Sequence, residues 1–109
     1  MGYQQWKPCI DACLECAAIC NYCANACTKE KEVEMMAECI RLDMECAAIC
    51  YVSAQLMSLD SGKSVQLCKL CAELCDACGI ECGKHNALHC EQCAEACLRC
   101  ARECLKIAA

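Results

Sequence analysis

The apolar positions of this chain follow a heptad rhythm in which cysteine stands where leucine is usual. Between Cys9 and Cys27, cysteines recur at steps of alternately four and three residues. On an α-helix, residues three and four apart lie on one face with their Cβ atoms about 5–6 Å apart, whereas a strand would place them on two faces. The stretch therefore predicts a helix with one continuous stripe of six thiols.

The same rhythm returns three more times along the chain. It is complete over residues 68–82 and 90–104, and thinner over residues 39–50. The segments between these stretches, 28–32, 60–62 and 83–86, are charged or contain glycine and serine, which is typical of turns. With Pro8 as a favoured first-turn residue, the sequence predicts helices at about 8–28, 33–58, 63–83 and 87–107. Asp60 or Ser61 is expected to cap the third helix, and residues 28–32 to form a solvated turn.

Two pairs of similar sequence segments indicate a repeated helical unit. The sequence ECAAIC occurs at residues 15–20 and again at 45–50, and CAELCDAC from Cys71 is matched by CAEACLRC from Cys93. Short connections make sequential helices antiparallel neighbours, and four such helices bury four stripes against one axis. We therefore expect an all-α fold, an antiparallel up-down-up-down four-helix bundle with a cysteine-lined core, forming a single domain over residues 1–109.

The composition requires cysteine to form the core. Leu, Ile and Val together supply only 19 of the 109 residues and Phe is missing, whereas the chain holds 19 cysteines and 17 alanines. Free cysteine packs as a small hydrophobe, but its reactivity usually decides why it is present. A core this rich in sulfur therefore points to chemistry as well as to packing.

The net charge and the N-terminal sequence limit which partners and which cellular compartment we expect. The net charge is −5 and no basic cluster is present, which argues against nucleic acid as a partner. The segment MGYQQWKP has no apolar run, and Trp6 stands where a myristoylation signal needs Ser or Thr. We expect a cytoplasmic protein without a membrane partner. In that reducing compartment, dense cysteines favour metal or redox chemistry over structural disulfides.

Several kinds of cysteine site fit the pattern poorly. Helical neighbours lie farther apart than the roughly 3.5–4.5 Å between Cβ atoms that a disulfide needs, although pairs between helices remain open. Thioredoxin-type chemistry places CxxC beside a strand, and iron–sulfur clusters draw their ligands from loops. Structural zinc sites usually come from knuckles and turns, and about four of them would use most of the thiols.

Monovalent copper fits the pattern best. Soft thiolates select Cu(I), which accepts two sulfur ligands, and eight CxxxC pairs occur along the helices. One Cu⁺ per thiolate also leaves the interior neutral. If each thiolate bridges two ions, capacity approaches one ion per cysteine, which is a store. The expected ligands are Cys9, Cys13, Cys16, Cys20, Cys23, Cys27, Cys39, Cys46, Cys50, Cys68, Cys71, Cys75, Cys78, Cys82, Cys90, Cys93, Cys97, Cys100 and Cys104.

At this point the sequence resembles the cytosolic branch of the bacterial four-helix-bundle copper storage proteins. The resemblance spans the whole chain and rests on the cysteine runs of the first, third and fourth helices and on the segment HNALHC from His85. It implies a bundle that binds many Cu(I) ions through inward cysteines, assembles as a homotetramer and serves storage or detoxification. The second helix departs from the pattern, with only three cysteines and with Asp43, Ser53 and Met57 at the vacant positions.

An antiparallel bundle brings further metal-binding residues to one end, which we call the mouth. We expect copper uptake there, with His85 and His89 as additional ligands and with Met35 and Met36 as weaker candidates. Asp43 offers hard oxygen, so contact with solvent or another subunit is the expected role. The other end, with Trp6, Met57 and Val65, is expected to be apolar and closed. The residues predicted to gather at the mouth are Cys27, Met35, Met36, Cys39, Cys82, His85, His89 and Cys90.

A second interpretation is that the protein binds metal but only a small number of ions. A copper or zinc sensor or chaperone would use one or a few ions, and the loading stoichiometry separates it from a store. Neither interpretation requires a bond to be made or broken in a substrate, so we expect no enzyme activity. Buried thiols should be mostly neutral before loading, and each copper should displace about one proton.

Overall fold

The computed structural model describes residues 2–108, so Met1 and Ala109, the outermost residues of the predicted domain, lie outside the described residues. Within that range the chain forms the helices α1 (Tyr3–Cys27), α2 (Ala37–Ser58), α3 (Ser64–Cys82) and α4 (Leu88–Ala108) and no strand. A short 3₁₀ helix, Val33–Met36, precedes α2. The all-α prediction is confirmed, with three short connections between the helices.

The start of α1 differs from the prediction. The helix begins at Tyr3, so Pro8 lies inside it and not at its first turn. The first turn is held by a backbone bond from Gln5 to the Gly2 carbonyl (3.0 Å) and by the Gln5 side chain, which accepts a bond from the Gly2 N–H (3.2 Å). Trp6 is buried as well. Burial of this indole stabilises the turn and offsets the backbone bond that proline removes.

The starts of α2 and α3 also correct the sequence interpretation. The predicted second helix opens as 3₁₀ geometry at Val33 and becomes α-helical only at Ala37. Helix α3 follows Lys63, and no side chain caps it. Asp60 instead adopts positive φ, 52°, a conformation that Asp tolerates better than most residues, and its carboxylate accepts a bond from the Trp6 indole. Asp60 therefore ties the α2–α3 connection to α1.

The helices pack as a four-helix bundle, as predicted. Helix α1 packs against α2 and α4, and α3 packs against the same two helices. Each helix therefore contacts the helices that precede and follow it in the chain, and α4 also contacts α1, which completes the bundle. The bundle is elongated, with dimensions of 46 × 19 × 18 Å. Gly79 lets α3 approach α4 closely, because a Cβ atom there would lie 3.3 Å from Leu98 and 3.4 Å from Cys97. The narrow cross-section brings four cysteine stripes to one axis.

The outer faces carry scattered apolar side chains. Leu14, Tyr22, Met44, Ile80 and Leu98 are all exposed on these faces. Among residues 2–108, no helix has the combination of length and apolar content needed to cross a membrane.

Candidate metal centre

All 19 cysteines lie in the bundle interior, where their Sγ atoms form what we call the thiol column. Every one is buried and every one is a free thiol. The burial follows from the three-and-four spacing, which turns each stripe toward the bundle axis. The sequence prediction that sulfur lines the interior is thus matched at every cysteine.

Thiols from different helices lie close enough to share a metal ion. The shortest Sγ–Sγ distances join Cys39 to Cys82 (3.2 Å) and Cys46 to Cys75 (3.3 Å), both between α2 and α3. Metal–sulfur bonds of about 2.3 Å, as in zinc thiolates, allow two sulfurs on one ion to lie up to about 4.6 Å apart. The thiols therefore already stand at bridging distances without any movement of the backbone.

The thiols also form groups of four in which all sulfur atoms lie within 4.8 Å of one another. Five such groups are Cys13–Cys71–Cys100–Cys104, Cys16–Cys46–Cys50–Cys75, Cys16–Cys20–Cys46–Cys97, Cys20–Cys78–Cys93–Cys97 and Cys23–Cys27–Cys39–Cys90.

Three of these groups share members, through Cys16 and Cys46 and through Cys20 and Cys97. Sγ–Sγ contacts connect the other two groups to these three: Cys50 lies 3.7 Å from Cys71. Cys82 lies 3.2 Å from Cys39 and 4.0 Å from Cys78. The groups therefore form one continuous series along the bundle.

Helix α2 continues its stripe with residues other than cysteine at three positions. All three side chains are buried, although they interact differently. Asp43 contacts several thiols, Met57 contacts the thiol of Cys68 through its sulfur at 3.6 Å, and Ser53 turns its hydroxyl to the Leu67 carbonyl at 3.5 Å. The thinner stripe predicted for this helix is therefore continuous along α2, but half of its side chains are not cysteines.

Asp43 lies within the thiol column, which corrects the expectation that it would face solvent or another subunit. Its side chain is 0% exposed, and its Oδ1 atom accepts contacts from Cys78 and Cys93, each at 3.1 Å. Desolvation, together with the neighbouring thiols of Cys93 and Cys78, raises the pKa of this carboxyl to about 10. In the metal-free protein at neutral pH, Asp43 is therefore a neutral acid.

Two thiols at the mouth, those of Cys27 and Cys90, also favour the protonated form. Desolvation by burial raises the pKa of Cys90 to about 11, and burial raises the pKa of Cys27 above its usual range as well. Because the charged thiolate is the form that binds metal, ion binding at these residues must displace a proton. At these two residues the metal-free protein therefore holds neutral thiols.

The mouth is organised by His89. Its Nδ1 atom lies 3.4 Å from the Cys23 sulfur and 3.5 Å from that of Cys90. On the other side of the ring, Nε2 lies 2.9 Å from a carboxylate oxygen of Glu30. An ionised carboxylate only accepts hydrogen bonds, so Nε2 carries the proton and the lone pair of Nδ1 faces the thiols. This is the orientation in which His89 can act as a metal ligand.

Glu30 was missed by the sequence interpretation, which treated residues 28–32 as a solvated turn. Its contact with His89 joins residues 59 positions apart, and no local pattern announces such a pairing. Tyr22 was missed in the same way, since its ring meets the His89 ring edge-on at a centroid distance of 6.5 Å. Two side chains without metal-binding signatures therefore position the predicted histidine.

The other candidates at the mouth are placed less directly. His85 pairs with Glu81 at 3.0 Å and lines an open cavity of about 410 Å³ together with Met35 and Met36. Met36 is buried, whereas Met35 is 65% exposed. The structure thus brings His89 to the thiols and leaves His85 and Met35 in the outer part of the mouth.

The opposite end of the bundle contains a buried indole. Trp6 is buried there, and its Nε1–H donates a 2.9 Å bond to Asp60. Met57 lies buried at the same end, as expected, but Val65 is 46% exposed and does not contribute to the closure. We refer to this region, with Trp6, Asp60 and Met57, as the closed end.

Comparison with known proteins agrees with this geometry. A sequence profile of the Csp copper storage proteins matches residues 3–109. The chain is 45% identical over 88 residues to the cysteine-rich protein YhjQ of Bacillus subtilis (strain 168), covering 81% of this chain and 82% of the relative.

Solved structures with the same fold include Cu(I)-bound proteins. The Cu(I)-bound copper storage protein BsCsp3 is 45% identical, with a TM-score of 0.92 over 95% of this chain and 98% of that protein. A cytosolic copper storage protein from Streptomyces lividans with five coppers is 38% identical, with a TM-score of 0.93 over 97% and 93% of the two chains. A profile match over nearly the whole chain and these relatives place the chain in one family: it belongs to the copper storage proteins.

Proposed function

We propose that this protein stores copper in the cytoplasm as many Cu(I) ions bound by the thiolates of the column, up to about one ion per cysteine. The observation that carries the proposal is the continuous series of four-thiol groups, each within 4.8 Å, which either share cysteines or are joined by Sγ–Sγ contacts of 4.0 Å or less. A site for one or two ions would need four thiols or fewer. Thiols that belong to two groups are suited to bridging, which raises capacity beyond isolated sites.

The chemistry of the donors supports Cu(I) as the stored ion. Soft thiolates favour Cu(I) over harder divalent ions, and one Cu⁺ per thiolate keeps the buried column neutral. A divalent ion at the same ratio would leave a large positive charge in the interior. The proposed ligands are the 19 cysteines, with His89 beside the mouth thiols and His85 in the outer part of the mouth.

We place copper uptake at the mouth. His89 bridges the outer carboxylate of Glu30 and the first thiols, Cys23, Cys27 and Cys90. An ion held by the Nδ1 atom passes to these thiols and then from group to group along the column. Each thiol releases its proton as it binds, so loading releases about one proton per copper.

The proposed role is storage or detoxification and includes no catalysed reaction. A cytoplasmic location is supported by the free thiols, which a reducing compartment maintains. Assembly as a homotetramer is supported by exposed apolar side chains on the outer helix faces, including Leu14, Ile80 and Leu98. Light scattering on the purified protein tests the assembly, and a monomer would contradict it.

An anaerobic Cu(I) titration of the fully reduced protein against a chromophoric chelator tests the storage function. We expect saturation near one ion per cysteine and release of about one proton per ion in a parallel base titration. Saturation after one to four ions would overturn the proposal in favour of a copper or zinc sensor or chaperone.

Ser53 supplies a matched variant for the same titration. It occupies a buried position on the α2 stripe, so Ser53→Cys should raise the capacity by about one ion. Ala54→Ser, next to it and outside the stripe, should leave the capacity unchanged. If Ser53→Cys gained no copper, the link between capacity and the number of column thiols would be wrong.

A further inference from the structure

Met57 stands where the thiol column meets the closed end. Its position continues the α2 stripe of Cys39, Cys46 and Cys50 at helical spacing. The side chain is 0% exposed, and its Sδ atom lies 3.6 Å from the Sγ atom of Cys68. The thioether sulfur, and not only the methyl group, therefore faces the thiols.

Other thiols surround this pair. The Cys9 and Cys104 sulfurs lie 3.6 Å apart, and Cys104 also lies 3.9 Å from Cys13. Both Cys9 and Cys104 interact with the thiol of Cys68. One thioether and several thiols thus gather at the closed end, and all of these side chains are buried.

A thioether in this place has a specific chemical use. Thioethers, like thiolates, are soft ligands that suit Cu(I). The 3.6 Å separation of the Met57 and Cys68 sulfurs falls within the roughly 4.6 Å that two metal–sulfur bonds allow. At the end of a column a thiolate has neighbours on one side only. A neutral thioether completes the coordination of the last ion without adding a negative charge that no further copper would balance.

We propose that Met57 is a copper ligand, which with the thiolate of Cys68 forms the terminal Cu(I) site of the column. The inference rests on the proposed storage function, since it assigns one more ligand to the same ions. It distinguishes Met57 from Met44, which lies exposed on the outer face of the same helix.

Methyl NMR tests the inference directly. The protein is labelled with ¹³C at the methionine methyl groups, the Met57 signal is assigned with Met57→Leu, and the reduced protein is titrated with Cu(I). We expect the Met57 methyl signal to move as the column fills while the Met44 signal stays in place. In protein saturated with ¹⁰⁹Ag(I), a soft monovalent probe, a scalar correlation should join the Met57 methyl protons to silver. A saturated protein without that correlation would overturn the assignment.

Retention of copper supplies the second measurement. Met57→Leu preserves the volume of the core, so the folded variant should lose about one ion per chain to a strong chelator. Met57→Cys should restore that ion, and Met44→Leu should match the wild type. If Met57→Leu retained all of its copper, Met57 would be packing only.

The two proposals fail differently. A wild-type protein that binds only a few ions contradicts storage itself. A wild-type protein that binds about one ion per cysteine, with a Met57 signal unchanged by loading, contradicts the terminal site alone.

Discussion

The two ends of the thiol column differ in the side chains that the thiols contact there. At the mouth, the thiols meet His89 and Glu30, polar groups in contact with each other and with solvent. At the closed end, they meet Met57, and Trp6 is buried in the same region. Under the proposed function, the difference means that the cysteine stripe specifies the capacity, whereas the few residues at its two ends specify where ions can enter.

Removal of the Trp6 ring should have the largest effect on stability and should leave the rate of copper uptake unchanged. Trp6→Ala deletes a buried aromatic side chain, so the free energy of unfolding of the metal-free protein should fall by about 3–5 kcal/mol. The rate of uptake of the first Cu(I) ions should stay the same, because in the proposed route those ions enter at the mouth. Chemical denaturation and stopped-flow loading measure the two quantities.

Trp6→Phe provides the milder comparison for that experiment. It keeps an aromatic ring and removes the indole N–H that bonds to Asp60, so the stability loss should be smaller. A slower first uptake in either folded variant would show that the two ends are coupled.

Asp43 should give the mouth half of the column a pH dependence. Burial raises the pKa of this carboxyl to about 10, so above about pH 4 the unfolded chain releases a proton that the folded protein keeps. The contribution of Asp43 to stability therefore falls as pH rises from about 4 toward 10. Asp43→Asn cannot ionise and should make the metal-free protein more stable at pH 7 by up to about 4 kcal/mol.

Denaturation of reduced wild type and Asp43→Asn from pH 4 to 7 measures this difference. The two curves should converge near pH 4, where the carboxyl is protonated in both the folded and unfolded states. Asp11→Asn, at an exposed carboxylate, should change stability by only a few tenths of a kcal/mol. A constant gap between wild type and Asp43→Asn across the range would contradict a neutral Asp43.

Loss of Glu30 should produce the smallest effect in free energy, confined to the mouth. Without the carboxylate, the proton of His89 is no longer fixed on Nε2, so Glu30→Ala should slow the first uptake by about tenfold. Long-range ¹H–¹⁵N NMR of the metal-free protein should show the Nε2–H tautomer in the wild type and a mixture in the variant.

Two variants sharpen the test of Glu30. Glu30→Gln keeps an oxygen acceptor and should lie between wild type and Glu30→Ala in both measurements, whereas the exposed Glu32→Ala should resemble wild type. An unchanged tautomer in Glu30→Ala would remove the positioning role.

Sequence spacing predicted the column because burial in a bundle depends on local periodicity. The steps of three and four residues suffice to place every cysteine in the interior. The same rule placed Asp43 on the stripe, but its preference as a hard donor suggested an outward role that the structure corrects. Helix position outweighed ligand preference at this residue.

Features that depend on distant contacts could not be read from the chain. The pairing of Glu30 with His89 joins the α1–α2 connection to α4, and the bond from Trp6 to Asp60 joins α1 to the α2–α3 connection. The second contact helps explain why α1 starts before Pro8. Local sequence patterns predicted the helices well, but they did not predict the long-range side-chain contacts that hold the connections to the helices.

Sharing of thiols between neighbouring groups makes the column tolerant of loss. Cys16 and Cys46 each belong to two four-thiol groups, as do Cys20 and Cys97. Removal of one of these four sulfurs leaves three ligands in each of its groups, so loss of any one of the four should lower the capacity only by a small step. A chain that drifts through mutation can thus exchange individual cysteines and still hold copper, a redundancy that a solitary four-ligand site does not have.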